Sequence, residues 1–580
     1  MSIKLNKIFS EIPSLNIKQL TYIPNHKNDL EGWSDGLLHL ELGEAAKQIF
    51  TTLLELRSLH TDDFVRFSIL EKIQENLSHV LTSLEQHYLS NSLLDTKRDQ
   101  QIADLVLELK AHHALIYYEI FKRTHHTLDT TKFKIFEFNN KKKMTLLRKQ
   151  SAFLSLEKFT QLLYSLQLLY LDTPKLFWSS AYSVFNYSRK HDFDTEHVNL
   201  LHDTESPINT IEKSFAQLVL ASLLNNHKLR QTEMRDVIQF IAHWTDLIKI
   251  TDTSDQHSQY TFNYFSDQSP KYYFKNEYFD KESYYIDISA LINYVDSTLQ
   301  PSARYYSTSE ENNFTNVLKH HIQATLDPNN IRQSPRFSEE GNIEVSFGIT
   351  SAHFFLSSAQ HFKETLGLED VTPNQPPPSL SNLIADKEIQ LSTRTHEQRF
   401  NAEITKIYST GIVNRSESGY CLNWHDSTPR YMRTGEFIMT RENSESPWNA
   451  AIIRWLKNNN EQSVEFGVEL FSKKMCPVAV AIPKPNTQPI YHPAILIEED
   501  QSLYSIILPS GQIFTEDQNL ALRLGKIELK MFLTRSTLLT QSCAKFMFDL
   551  LEQSKYPILD QHFEEHLNKL NTKDLWDSLK

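Results

Sequence analysis

Two short stretches of the chain carry side chains suited to holding a compact anion. Arg332 and Arg336 stand four residues apart in Arg332-Gln-Ser-Pro-Arg336. Asn414-Arg-Ser416-Glu-Ser-Gly419 puts an amide, a hydroxyl and a glycine in one short bend. A guanidinium forks onto phosphate oxygens or onto the O6/N7 edge of guanine, and its flat face stacks on a base. Amide and hydroxyl groups complete such a grip by hydrogen bonding, and glycine admits a tight turn or a close backbone approach. Each stretch also has a plainer account. Asn414-x-Ser416 fits an ordinary Asx or Ser turn opening a strand, and the two arginines fit a solvated loop.

The surrounding composition limits the anions in question. The chain has 580 residues, 40% of them apolar, which is enough for two to four domains with real cores. A net charge of -13 repels DNA and RNA backbones, so no nucleic-acid partner is expected. Cys421, Cys476 and Cys543 lie far apart and are odd in number, which gives neither a disulfide framework nor a Cys-x-x-Cys metal site. A reducing, cytoplasmic setting is expected. Met1 to Pro24 lacks an apolar core of signal-peptide length, and no uncharged run has transmembrane length. Direct membrane insertion is therefore not expected, and a membrane or cell pole would be reached through a partner.

Glycine divides the elements that must position these residues. There are 12 glycines; three lie between Gly32 and Gly43, none follows until Gly341, and the other nine fall between Gly341 and Gly525. Tight turns between strands draw on glycine, so the glycine-free span predicts helices and the later part predicts strands. Apolar steps of three and four support helices within Gly43 to Leu89, Asp99 to Phe121, Thr145 to Leu171, Ile208 to Leu224 and Thr232 to Ile248. No repeat of constant period emerges. Tyr260 to Tyr285 alternates aromatic and polar residues and predicts a small hairpin, followed by helices at Ile286 to Leu299 and Asn312 to Leu326. Five segments alternate with period two: Ile404 to Val413, Tyr420 to Trp424, Glu436 to Thr440, Asn449 to Leu456 and Ser463 to Leu470. They predict a small antiparallel barrel. Beyond Pro485, Ala494 to Ile497, Leu503 to Leu508 and Ala521 to Leu533 predict more strand, then a helix near Ala544 to Gln553 and a polar C-terminal helix. The fold class is α+β multidomain. Its expected parts are a helical domain over 1–250, a small α/β connecting region over 251–330, a barrel over 331–485 and a β-rich segment over 486–580.

The order of motifs in the barrel region resembles a PilZ domain. Gly411-Ile-Val-Asn-Arg-Ser-Glu-Ser-Gly-Tyr-Cys-Leu-Asn-Trp424 is followed by Met432-Arg-Thr-Gly435, Ala450-Ala-Ile-Ile-Arg-Trp-Leu456 and Val464-Glu-Phe-Gly467-Val-Glu-Leu470. The resemblance implies a receptor for cyclic di-GMP, with no enzymatic activity and no cofactor. It gives Arg332 and Arg336 the ligand's phosphates and guanines, Asn414 and Ser416 the guanine edge and nearby oxygens, and Gly419 the turn. Arg415 and Arg454 are secondary candidates outside the family pattern. PilZ arginines lie a few tens of residues before the turn, whereas 77 residues separate Arg336 from Asn414. An insertion accounts for this: Asn342 to Ile349 would be the first barrel strand, and about 351–400, with its proline stretch, would leave the barrel and return at Ala402. Arg394 and Arg399 form a rival pair at a spacing of five. The helical half, interrupted PilZ domain and trailing β segment together are similar to FimW-type cyclic di-GMP effectors of gammaproteobacteria. That wider resemblance implies a protein partner, in type IV pilus, motility or surface-attachment machinery.

Two other functions stay open. One is a PilZ-like interaction protein that has lost its ligand. The other is a zinc hydrolase using His562, Glu565 and His566, since His562-Phe-Glu-Glu565-His566 puts two histidines one helical turn apart. That string lies in a polar terminal helix without a third ligand nearby in sequence, so no metal is expected. His112-His113, His125-His126 and His320-His321 set neighbours on different helix faces and make poor chelates.

Overall fold

The computed structural model describes residues 2–25, 28–89, 96–134, 137–200, 206–224, 227–274, 280–300, 302–327, 335–366, 404–426, 428–429, 431–459, 463–484, 488–500, 503–509 and 513–577. The chain forms two compact units, Met1–Ile331 with Asn458–Glu461, and Arg332–Lys457 with Gln462–Lys580.

The first unit is mainly helical. Its helices are α1 (Ser2–Ser10), α2 (Leu30–Leu37), α3 (Leu42–Ser58), α4 (Asp63–Tyr88), α5 (Lys97–Thr130), α6 (Phe138–Leu168), α7 (Phe177–Lys190), α8 (Ile211–Leu224) and α9 (Gln231–Trp244). Side-chain caps start two of the longest: Asp62 accepts from Phe64 N at 2.8 Å and Thr96 from Asp99 N at 3.0 Å. The apolar stripes read from the sequence are the buried faces. Ile69, Leu70, Ile73 and Leu77 of α4, and Val106, Leu107, Ala114 and Phe121 of α5, are nearly inaccessible. Each fully buried large aliphatic side chain contributes about 1.5–3 kcal/mol. A fork from Arg123 onto Asp63, at 2.9–3.0 Å, ties α5 to the start of α4.

The expected hairpin is part of a four-stranded sheet. Its strands are β1 (Lys249–Thr251), β2 (Ser258–Asn263), β3 (Lys271–Tyr272) and β4 (Ser283–Asp287), in the order β1-β4-β2-β3. Aromatic packing explains the composition there: Phe262 stacks on Tyr182 at 4.5 Å and Phe215 on Phe185 at 4.1 Å. Then come α10 (Ser289–Ser297), α11 (Thr308–Asn313) and α12 (Asn316–Leu326).

The second unit holds two closed six-stranded barrels. The first contains β5 (Phe337–Phe347), β6 (Tyr408–Ser416), β7 (Gly419–Trp424), β8 (Phe437–Arg441), β9 (Asn449–Asn459) and β10 (Ser463–Ser472). The second contains β11 (Met475–Ala481), β12 (Tyr491–Asp500), β13 (Leu503–Pro509), β14 (Asn519–Leu524), β15 (Ile527–Leu539) and β16 (Cys543–Leu550). Counted from its own first strand, each barrel pairs first with second, second with third, third with sixth, sixth with fifth, fifth with fourth and fourth with first. The two share one topology.

Three sequence expectations are corrected here, and a fourth, strand over Ala521 to Leu533, is met by a hairpin. Ala544 to Gln553 is not a helix: Cys543–Leu550 is β16, and its buried Ala544, Phe546, Phe548 and Leu550 follow period two. Ala521 to Leu533 is the β14–β15 hairpin, turned at Gly525 with φ +58°. Ile404 precedes its strand, which begins at Tyr408. The start of the expected excursion does not leave the barrel either. Ile349–Leu356 forms α13, and its Ile349, Ala352 and Leu356 pack with Phe437 and Met439 of the first barrel and Ile495 and Ile507 of the second. The proline stretch and residues 367–400 lie outside the described residues.

Polar contacts also join the barrels. Gly435, at φ +70°, lets Thr540 approach so closely that a Cβ there would stand 2.9 Å from Thr540 Cβ. Thr540 Oγ1 donates to Gly435 O at 2.7 Å. Ser542 Oγ donates to the buried Glu436 carboxylate at 2.6 Å, and Arg433 Nε does so at 3.0 Å.

Candidate functional site

The bend read from the sequence is the two-residue turn of the β6–β7 hairpin. Ser416 pairs with Gly419 across it, leaving Glu417 and Ser418 at the tip. Ser416 Oγ donates to Gly419 O at 3.3 Å. Ahead of the turn β6 carries a bulge between Ile412 and Asn414 relative to β7. Such a bulge re-aims the side chains beyond it.

β5 lies against the other edge of β6, with Phe337 opposite Arg415 and Ser338 opposite Asn414. Arg336 immediately precedes β5, one residue before the first pair of that register. Directly opposed residues share a face, and faces alternate along a strand. Ser338 and Asn414 therefore share one face, while Phe337 and Arg415 share the other. Of the residues singled out from the sequence, Asn414 and Ser416 lie on β6, and Arg336 lies one residue ahead of the β5 stretch that pairs with it. Arg336 is exposed, and among the described residues it takes part in no ion pair. Arg332, Arg394 and Arg399 lie outside the described residues.

Gly419 owes its identity to a neighbouring strand. A Cβ on it would stand 1.9 Å from Val468 O of β10. Its φ is not in the left-handed region. This glycine lets β10 close against β7.

The other two arginines are engaged. Arg415 reaches Glu442 at 3.4 Å and Glu339 at 3.9 Å, with its guanidinium 5.3 Å from the centre of the Tyr420 ring. Burial raises the Tyr420 hydroxyl pKa, and Arg415 partly opposes the shift. Arg454 of β9 pairs with Glu469 of β10 at 2.6 Å, and Glu469 is the residue opposite Gly419. Trp455, next to Arg454, covers Gly467, where a Cβ would meet the indole Nε1 at 1.9 Å. One rim of the barrel thus runs from Ser416 through Gly419 and Glu469 to Arg454.

Sequence reasoning missed the acidic members of this rim, Glu339, Glu442 and Glu469, and the 64% exposed Phe337. Phe337 could have been found from its place directly after Arg336. The acids are recognisable only once strand register is known.

The zinc string falls on the C-terminal helix Tyr556–Asp577. Burial lowers the pKa of both His562 and His566, the latter to about 4. Among the described residues no group of three His, Cys, Asp or Glu side chains is placed to hold a metal. No helix of the described residues is long and apolar enough to cross a membrane.

Comparisons with known proteins agree with the barrel assignment. Residues 28–256 match the family model described as the N-terminal domain of the cyclic-di-GMP receptor FimW. Residues 260–381 and 381–477 match the model described as the middle PilZ domain of the same receptor. The chain is similar to the cyclic-di-GMP receptor FimW of Pseudomonas aeruginosa, at 20% identity over 588 residues, covering 94% of each chain. No solved structure matches the chain.

Proposed function

The chain belongs to the FimW family, whose middle part is a PilZ domain, and we propose that its first barrel is a receptor site for cyclic di-GMP. The observation that supports this reading is the register of β5 against β6, which sets the start of β5, directly after the exposed Arg336, alongside Asn414 and Arg415. A dinucleotide with two phosphates and two guanines offers an arginine both a bidentate anion and a bidentate base edge. Arg336, with Arg332 four residues before it, grips these groups. Asn414 and Ser416 hydrogen-bond the guanine and sugar-phosphate oxygens. Gly419 keeps the hairpin seated on β10. Arg415 and Arg454 are held by carboxylates and supply background charge.

In this account the ligand ties the segment entering β5 to the β6–β7 turn, and the chain acts as an effector or adaptor without catalysis. The relatives that support the reading are described as receptors. The output is a protein partner in surface attachment, type IV pilus or motility control, reached from the cytoplasm. That part rests on the family resemblance alone.

Calorimetric titration of the full chain with cyclic di-GMP tests the site. Losing a charge-assisted hydrogen bond costs about 1.5–3 kcal/mol, so Arg336→Ala should weaken binding by roughly 10- to 150-fold. Ser416→Ala should weaken it by up to about tenfold. Wild-type affinity in both variants would remove the site. A folded protein that ignores the dinucleotide would favour a ligand-free interaction barrel.

A further inference from the structure

Away from the barrels, the first unit carries a concentrated basic surface on an otherwise acidic chain. Between the end of α5 and the second turn of α6, Lys132, Lys134, Lys141, Lys142 and Lys143 are all exposed. Among the described residues, Lys132, Lys141, Lys142 and Lys143 have no carboxylate within ion-pair distance. Glu137, the one acid among the described residues of 131–149, accepts from Lys134 N at 2.8 Å, so backbone already occupies it. The next two cations along α6 are committed: the Arg148 guanidinium lies 4.2 Å from the centre of the Phe193 ring, and Lys149 pairs with Glu196.

Two large apolar side chains stand among the lysines. Phe138 is 68% exposed and Leu146 is 49% exposed. Steps of four place Phe138, Lys142 and Leu146 on one stripe of the helix, spanning about 12 Å. Leu147 and Ser151, on another side of α6, are the buried contacts that anchor it. An exposed phenylalanine and leucine beside Lys141, Lys142 and Lys143 stand outside the core.

We propose that this surface binds the anionic face of a phospholipid bilayer. Lysines are hydrated point charges on flexible stems, suited to a diffuse field of phosphates; a fork-shaped arginine suits a single bidentate partner. Phe138 and Leu146 dip into the headgroup boundary while the lysines remain at the phosphate level. A nucleic acid would meet the repulsion of a net charge of -13 along any longer track. Attachment is peripheral, and it needs no intermediary protein, which departs from the expectation drawn from the sequence. It is also independent of dinucleotide binding.

Co-sedimentation of the full chain with phosphatidylglycerol–phosphatidylcholine vesicles, and with pure phosphatidylcholine vesicles, tests the proposal. Binding is expected on the anionic vesicles only, and it is expected to fall away at about 0.5 M salt. Near an anionic surface each lysine is worth about a fivefold factor, so K141Q/K142Q/K143Q should lower the partition coefficient by about a hundredfold. F138S should lower it by roughly tenfold, from the apolar area withdrawn from the interface. A charge-matched control, K7Q/K526Q/K530Q, should leave binding in place. All six lysines are exposed, so the variants fold, and circular dichroism verifies that. Equal partition of the two triple variants would overturn the proposal. So would absence of binding to anionic vesicles, including the case in which soluble polyglutamate binds the patch instead.

Discussion

Replacing Gly419 by alanine isolates what holds the rim in place. The added Cβ would stand 1.9 Å from Val468 O, 3.0 Å from Val468 C and 3.3 Å from Glu469 Cα. Real Cβ contacts begin near 3.0 Å, so backbone must part by about 1.1 Å. The obstructing atoms belong to main chain fixed by pairs Tyr420–Val468 and Gly419–Glu469, and by Leu470 N donating to Ser418 O at 2.8 Å. No rotamer change relieves such a clash, and overpacking of this kind costs about 1–3 kcal/mol. For a unit of this size that lowers the melting temperature by roughly 3–10 °C. Scanning calorimetry reads the shift, and urea unfolding converts it to free energy. Gly467→Ala is the internal comparison: the three atoms nearest its Cβ all belong to the Trp455 side chain, so its cost should fall in a Trp455→Ala background. If Gly419→Ala melts within about 1 °C of the wild type, the steric argument fails, and with it the role given to this glycine.

Other expectations follow from buried and rim charges. Glu310, fully buried, accepts from Trp244 Nε1 at 2.9 Å, Tyr294 OH at 2.7 Å and Tyr306 N at 3.0 Å. Glu310→Ala strands those donors and should destabilise the first unit by about 3–5 kcal/mol, measured by urea unfolding, with cyclic di-GMP affinity unchanged. His353 of α13 is held down to about 4, first by burial and then by the nearby His566, so the folded unit prefers it neutral. An unfolded histidine takes up its proton near pH 6.5, so this stability stands above that pH and is lost as pH falls toward 4. Between pH 7 and 5 the loss should be about 2 kcal/mol, and His353→Gln should flatten the profile; an unchanged slope would refute the assignment. Glu339 and Glu442 beside Arg415 oppose an incoming dianion. Glu442→Gln should therefore tighten cyclic di-GMP binding by roughly two- to fivefold at low salt, and calorimetry would show the reverse if Arg415 needs that partner to stay folded.

The first barrel was legible because its strands alternate cleanly between turns, and the Asn414-to-Gly419 bend fell where the hairpin turns. Register was not legible. That the start of β5 meets Asn414 and Arg415 depends on β5 lying against β6 across more than seventy intervening residues, which no local pattern encodes. β16 was misread because Cys543-Ala-Lys-Phe-Met-Phe-Asp-Leu550 contains good helix formers, and pairing with β13 and β15 outweighs that preference. α13 was folded into an excursion because Ile349 to Leu356 is a short apolar run whose burial comes from two barrels. The helical half was readable from its stripes, yet its small sheet was seen only as a hairpin. The short outer strands β1 and β3 carry almost no periodicity of their own.

Two barrels with identical pairing follow one another along the chain, with only Lys473 and Lys474 between β10 and β11. During synthesis, each new hairpin of the second barrel therefore meets vacant edges shaped like those its counterpart occupied. Exchange of strands between adjacent look-alikes is a known route to misassembly. Side chains rather than topology must tell the copies apart. The acidic end of β12, Glu498-Glu499-Asp500, lies where the first barrel has Asn414-Arg-Ser416, and such opposed charge makes a swapped hairpin pay a repulsive or unpaired contact. The same difference that leaves one rim fit for an anion thus gives the nascent chain a way to keep its two barrels distinct.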